Sequence, residues 1–135
     1  MTRMTDSEIR VLANRFFDAY QDRRPDELKD IYCDETIIWT NVFQKEMSGE
    51  DNRSALPASY AKARRRTYDD RTINTFDEGF VIQYTLTGVH HTGHKGALQV
   101  CIVALCRNNK IVRIDEYMDT SKFRDWRGPN FHEDG

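Results

Sequence analysis

The chain has 135 residues, a length that fits one domain with one core, and the expected boundaries are a core of about 6–123 and a polar tail of 124–135. Its net charge of -2 excludes the broad basic field that nucleic-acid binding needs, and Arg64-Arg65-Arg66 is nearly cancelled by Asp69 and Asp70, so that run reads as a solvated helix end. No apolar run is long enough to span a membrane and the first residues lack a signal-peptide pattern, so the expected location is cytoplasmic.

Thr5 and Glu8 form a capping-box pattern ahead of Ile9, Leu12, Ala13, Phe16, Ala19 and Tyr20, which recur at helical spacing. Pro25 with Asp26 and Glu27 suits the start of a second helix, with Leu28, Ile31 and Tyr32 inward and Asp34-Glu35 at its end. The β-branched and aromatic stretch Thr36 to Thr40 predicts a strand. Residues Asn41 to Gly49 form a loop or short hairpin, and Glu50 to Ala63 a third helix, kinked or restarted at Pro57.

Four strand-like runs follow: Arg66 to Phe76, Phe80 to His90, Ala97 to Cys106 and Ile111 to Asp119. Their short connections predict antiparallel pairing. The expected class is therefore α+β, a curved antiparallel sheet with three helices on one face. The stretch Ala97 to Leu105 is apolar at both parities, so its second face needs cover, and a homodimer supplies it. Cys33, Cys101 and Cys106 lack Cys-x-x-Cys spacing and read as reduced, structural thiols.

Glu116 is the foremost candidate for chemistry. Alternation groups it with Val112, Ile114 and Met118, an apolar set that should face the interior and desolvate the carboxyl. A carboxyl in such a setting can act as an acid or base near neutral pH, or can be a structural ion-pair partner. Asn41 beside Trp39 can orient a water or a ligand oxygen, or can simply form a turn after a core tryptophan. Tyr84 shares a parity with Phe80, Ile82 and Leu86, so its hydroxyl points inward toward a ligand or a core partner. His90 and His91 diverge across a strand and His94 lies in a glycine-flanked turn, so no metal site is expected; His90 alone is a candidate shuttle at the pocket mouth.

Tyr32, Asp34 and Glu35, then Trp39-Thr40-Asn41, and finally Asp115-Glu116-Tyr117-Met118-Asp119 with Phe123, resemble the SnoaL-like families over roughly residues 8 to 123. These belong to the nuclear transport factor two-like superfamily, with polyketide cyclases, ketosteroid isomerase and limonene epoxide hydrolase. The resemblance implies a cone-shaped fold, an apolar pocket and, commonly, a homodimer. Where ketosteroid isomerase carries its tyrosine and carboxyls, this chain has Phe16, Thr40 or Asn41, and Cys101. Trp39, Asn41 and Glu116 match the water-holding residues of limonene epoxide hydrolase, but Ile82 and Tyr84 stand where that family has an Arg-x-Asp pair.

The expected function is cofactor-independent acid/base catalysis, of isomerase, cyclase or hydrolase type, on a small apolar oxygenated molecule. Glu116 and Asn41 are the catalytic candidates; Trp39, Tyr84, His90, Phe16, Gln99, Cys101 and Met118 are the substrate-binding ones. The rivals are a ligand-binding protein without turnover and a dimerisation domain of the same fold.

Overall fold

A computed structural model describes residues 3–61, 63–90 and 93–122, with 59–61, 63–65 and 90 described by backbone alone. The tail residues Phe123, Trp126 and Phe131, together with His91 and the side chain of His90, lie outside the described residues.

Helix α1 (Asp6–Gln21) starts at the capping box: Thr5 accepts from the Glu8 backbone while the Glu8 side chain accepts from the Thr5 backbone. Its buried face is Ile9, Leu12, Ala13, Phe16, Phe17 and Ala19. The second helical segment is shorter than its sequence suggests. A 3-10 turn at Pro25–Glu27 leads into α2 (Leu28–Ile31), and strand β1 (Tyr32–Thr40) begins where further helix was expected.

Thr36 is the reason. Its buried hydroxyl donates to the Ile111 carbonyl at 2.6 Å and accepts the Cys33 amide at 2.8 Å, tying this segment to the last strand. β1 turns back through residues 41–44 into β2 (Lys45–Ser48), so the hairpin alternative holds. Helix α3 (Gly49–Ala61) runs through Pro57 without a restart.

The remaining strands are β3 (Ala63–Phe76), β4 (Gly79–His90), β5 (Lys95–Arg107) and β6 (Lys110–Met118). β3 begins at Ala63 rather than at Arg66, so Arg64 and Arg65 belong to a strand rather than to a helix end. Among the described residues six strands form one open sheet in the order β2-β1-β6-β5-β4-β3. The β3-to-β6 meander and the β1–β2 hairpin are antiparallel, but β1 pairs with β6 in parallel, so the sheet is mixed rather than purely antiparallel. A parallel neighbour requires a long crossover, and everything from β2 to β5 supplies it.

Register divides the sheet into two faces. Phe80, Ile82, Tyr84 and Leu86 of β4 pair with Ala104, Ile102, Val100 and Leu98 of β5, and this face packs under the helices. Phe16 lies 6.4 Å from Phe80 and Phe17 lies 5.0 Å from Tyr84, centroid to centroid. We call this the inner face. β3 bends at Asp70, whose φ of 56 accompanies a register shift between Asp69 and Thr72. Beyond that bulge Arg71 lays its guanidinium 4.9 Å from the Phe17 ring.

β6 has its own irregularity, which corrects the simple alternation. The register shifts opposite Leu105 and Cys106, and Ile111 rather than Val112 is fully buried. Val112 instead lines a cleft of about 220 Å³ at the turn end of the sheet, with Arg3, Met4 and Cys106 among its walls. Among the described residues no helix is long and apolar enough to cross a membrane.

Candidate active site

Glu116 lies opposite Ile102 on β5 and Thr40 on β1, so it faces inward with Ile114 and Met118. The residue is half-buried. Burial raises its carboxyl to about 7, and the Arg66 cation pulls the other way without cancelling the shift. Arg66 stands on the inner face of β3, opposite Gly88 and one inward position from Tyr68. A carboxyl in this state carries either charge form near neutral pH, as a proton carrier requires.

The charge of this carboxyl is felt by the hydroxyls of Tyr84 and Tyr20. Tyr84 and Tyr68 stack with centroids 5.2 Å apart and planes 7° from parallel, and Phe17 closes edge-on against both. Tyr84 is buried, and its hydroxyl is pushed well above the ordinary phenol range by burial, then by the charges of Glu116 and Tyr68. Tyr20, on α1, is raised too, by burial first, then by Tyr32, with Glu116 and Tyr68 contributing. Glu116 and the tyrosines of α1, β3 and β4 thus share one electrostatic neighbourhood.

Three polar groups meet at the edge of this region. The Tyr20 and Tyr32 hydroxyls are 3.0 Å apart, and each lies 2.9 Å from Oδ1 of Asn52 on α3. Tyr20 packs edge-on against Phe16, at 4.7 Å between centroids.

Register separates several sequence candidates from Glu116. Trp39 pairs with Asp115, and its ring meets Tyr117 at 5.4 Å on the outer face. Gln99 pairs with Thr85, and Cys101 with Gln83 and Tyr117, also on the outer face. These three cannot line a cavity with Glu116, because a strand sends adjacent side chains to opposite faces. The question of Thr40 or Asn41 is answered the same way: Thr40 is the inner-face residue beside Glu116.

Asn41 has a different task. Its Nδ2 donates to the Met118 carbonyl at 3.1 Å and its Oδ1 accepts the Met118 amide at 3.0 Å. Its own backbone N–H donates to the Glu116 carbonyl at 3.0 Å. The carboxamide therefore extends the β1–β6 ladder by one rung, and those contacts commit it to the backbone rather than to a water. Phe16, Tyr84 and Met118 remain with Glu116 on the inner side.

Sequence reasoning passed over Tyr20, Tyr32, Tyr68, Asn52 and Arg66 as site residues. The tyrosines carried a legible signal, since a hydroxyl on an apolar helix or strand face must find a polar partner. Asn52 carried none. Among the described residues no group of three or more His, Cys, Asp or Glu is placed to hold a metal.

Comparison of the structure with solved proteins gives the fold. A candidate polyketide cyclase from Xanthomonas campestris pv. campestris superposes with a TM-score of 0.77 at 16% identity, covering 90% of this chain and 98% of that one. A nuclear transport factor two-like protein from Burkholderia xenovorans gives 0.76 at 15% identity, covering 93% and 99%. This chain has the nuclear transport factor two-like fold. An LEH-like epoxide hydrolase from M. tuberculosis shares that fold too, with a TM-score of 0.75, 16% identity and 89% and 90% coverage. No protein-family model matches the sequence, and no curated protein sequence matches it. Within the nuclear transport factor two-like fold, Glu116 lies on the inner sheet face, the face that packs under the helices.

Proposed function

We propose that this chain is a cofactor-independent acid/base enzyme acting on a small, apolar, oxygenated molecule, with Glu116 as the proton carrier. One observation carries the reading: a carboxyl raised to about 7 by burial on the inner face. A buried charge is costly, and the Arg66 cation offsets only part of that cost, so the carboxyl is suited to proton transfer. Phe16, Tyr84 and Met118 would form the apolar wall, and Thr40 replaces Asn41 as the polar neighbour of Glu116. Solved structures of similar fold include a candidate polyketide cyclase and an epoxide hydrolase, which is in keeping with chemistry of this kind.

The rival reading is ligand binding without turnover. It is favoured by the commitment of the Asn41 carboxamide to Met118, which removes one presumed orienting group. Proton exchange separates the two. Enolisable aryl ketones are incubated with the protein in D2O, and deuterium entry beside the carbonyl is followed by NMR; apolar epoxides are assayed in parallel for diol formation. The enzyme reading expects catalysis of one of these reactions, reduced about 100-fold or more in Glu116→Gln. Binding of several ketones and epoxides with no catalysis of either reaction would favour the rival.

The proposal includes a second copy of the chain over the outer face. No helix packs there among the described residues with side chains buried against it, and Trp39, Cys101, Val103 and Leu105 stay half-buried while Tyr117 is 46% exposed.

A further inference from the structure

The hydroxyls of Tyr20 and Tyr32 converge on a single carbonyl oxygen. Both contacts to Asn52 Oδ1 are 2.9 Å, and the two phenol oxygens are 3.0 Å from each other. Each phenol has one proton, so two protons serve three close contacts. One edge of the triangle always lacks a proton. Two donors aimed at one oxygen are the arrangement that binds a carbonyl or an oxyanion, provided the donors are held rigidly.

They are held rigidly. Tyr32 opens β1 and is buried, and Tyr20 is braced by Phe16. The acceptor comes from a different element. It projects from α3, where Leu56 is the only buried large side chain among those described. Asn52 itself is half-buried.

We propose that the Tyr20 and Tyr32 hydroxyls are a binding cradle for one carbonyl or oxyanion oxygen of a ligand, and that the Asn52 side chain fills this cradle as an internal stand-in. A ligand oxygen would take over both hydroxyl protons as the Asn52 carboxamide withdraws with α3. The ligand class is an apolar carbonyl compound, with its oxygen at the Tyr20–Tyr32 edge and its carbon skeleton among Phe16 and the stacked tyrosines. This deepens the reading of the interior as a site for apolar oxygenated molecules and rests on it, but it does not require that Glu116 move a proton.

The test uses the full chain and 2-acetonaphthone as the probe. Its affinity is measured by fluorescence, and its carbonyl stretch by infrared difference spectroscopy. Removing the competing acceptor with Asn52→Ala should tighten binding by about tenfold, because more of the protein is then competent to bind. The carbonyl band should move to lower frequency than with the parent. Asn52→Leu keeps bulk on α3 and should act alike, which guards against a variant that fails to fold. Adding Tyr20→Phe and Tyr32→Phe to Asn52→Leu should abolish both effects.

The proposal is overturned if folded Asn52 variants bind the ketone no more tightly, if none binds it, or if the band is indifferent to the tyrosine hydroxyls. Failure of the enzyme reading looks different. In that case the band shifts as expected while no ketone exchanges deuterium and no epoxide opens.

Discussion

Thr40 and Glu116 are direct neighbours across the parallel pairing of β1 and β6, and both project to the inner face. The hydroxyl of Thr40 accepts the Val42 amide at 3.3 Å, which fixes the side chain at the turn that follows β1. Glu116 is thus set on a rigid strand, one strand in from the β1–β2 hairpin, with Ile102 on its other side.

The pH dependence of stability follows from this placement. Glu116 rises from an ordinary value of 4.5 to about 7 in the folded chain. Between those values the folded state holds a proton that the unfolded chain has lost, so stability falls as pH rises through that window and is level above it. Glu116→Gln removes the penalty and should stabilise the fold at pH 8 by about 3 kcal/mol, with little change at pH 4. Urea unfolding at both pH values checks this. A variant less stable than the parent at pH 8 would mark Glu116 as a structural ion-pair partner.

Asn41 should matter for stability rather than for proton transfer. Asn41→Ala leaves the Met118 amide and carbonyl without their side-chain partners, at a cost of about 1–3 kcal/mol. Asn41→Asp keeps an acceptor for the amide but sets a carboxylate against the Met118 carbonyl, and should be no better. Thermal unfolding of both, alongside the proton-exchange assay, tests the assignment; a stable Asn41→Ala protein with lost catalysis would restore the chemical role.

Gly79 should tolerate no side chain. A Cβ built there would lie 1.8 Å from the Ala104 carbonyl oxygen, on the backbone of the neighbouring strand. Gly79→Ala therefore has to move β4 away from β5, and a loss above about 4 kcal/mol is expected. Solubility and circular dichroism report the outcome. A well-folded variant of parental stability would show that the β4–β5 register at this turn is looser than described.

Two lysine substitutions on one strand should fail in different ways. Val100 is 4% exposed beneath the helices, so Val100→Lys should unfold the chain. Val103 is half-buried on the outer face, so Val103→Lys should leave the fold intact and dissociate the proposed dimer. Sedimentation velocity at micromolar concentration compares them. A parent that is monomeric there would remove the second copy.

The sequence by itself determined the capped first helix, the four-strand meander and the grouping of Glu116 with Ile114 and Met118. Each depends on spacing within one segment: helical periodicity for Ile9 to Phe16, strict alternation for the end of β6. Short turns likewise fix antiparallel neighbours locally. The tertiary structure alone decided that β1 lies parallel beside β6, and hence that Thr40 rather than Trp39 or Asn41 accompanies Glu116 inward. Parity in one strand says nothing about parity in a strand some 75 residues away, and the irregularity between Tyr32 and Ile37 resets it. The bulge on β6 likewise exchanges Ile111 for Val112 in the core. The meeting of Tyr20, Tyr32 and Asn52 was hidden for the same reason. It joins three elements whose relative positions are set by packing on the sheet, and no local pattern in the chain encodes a contact of that range.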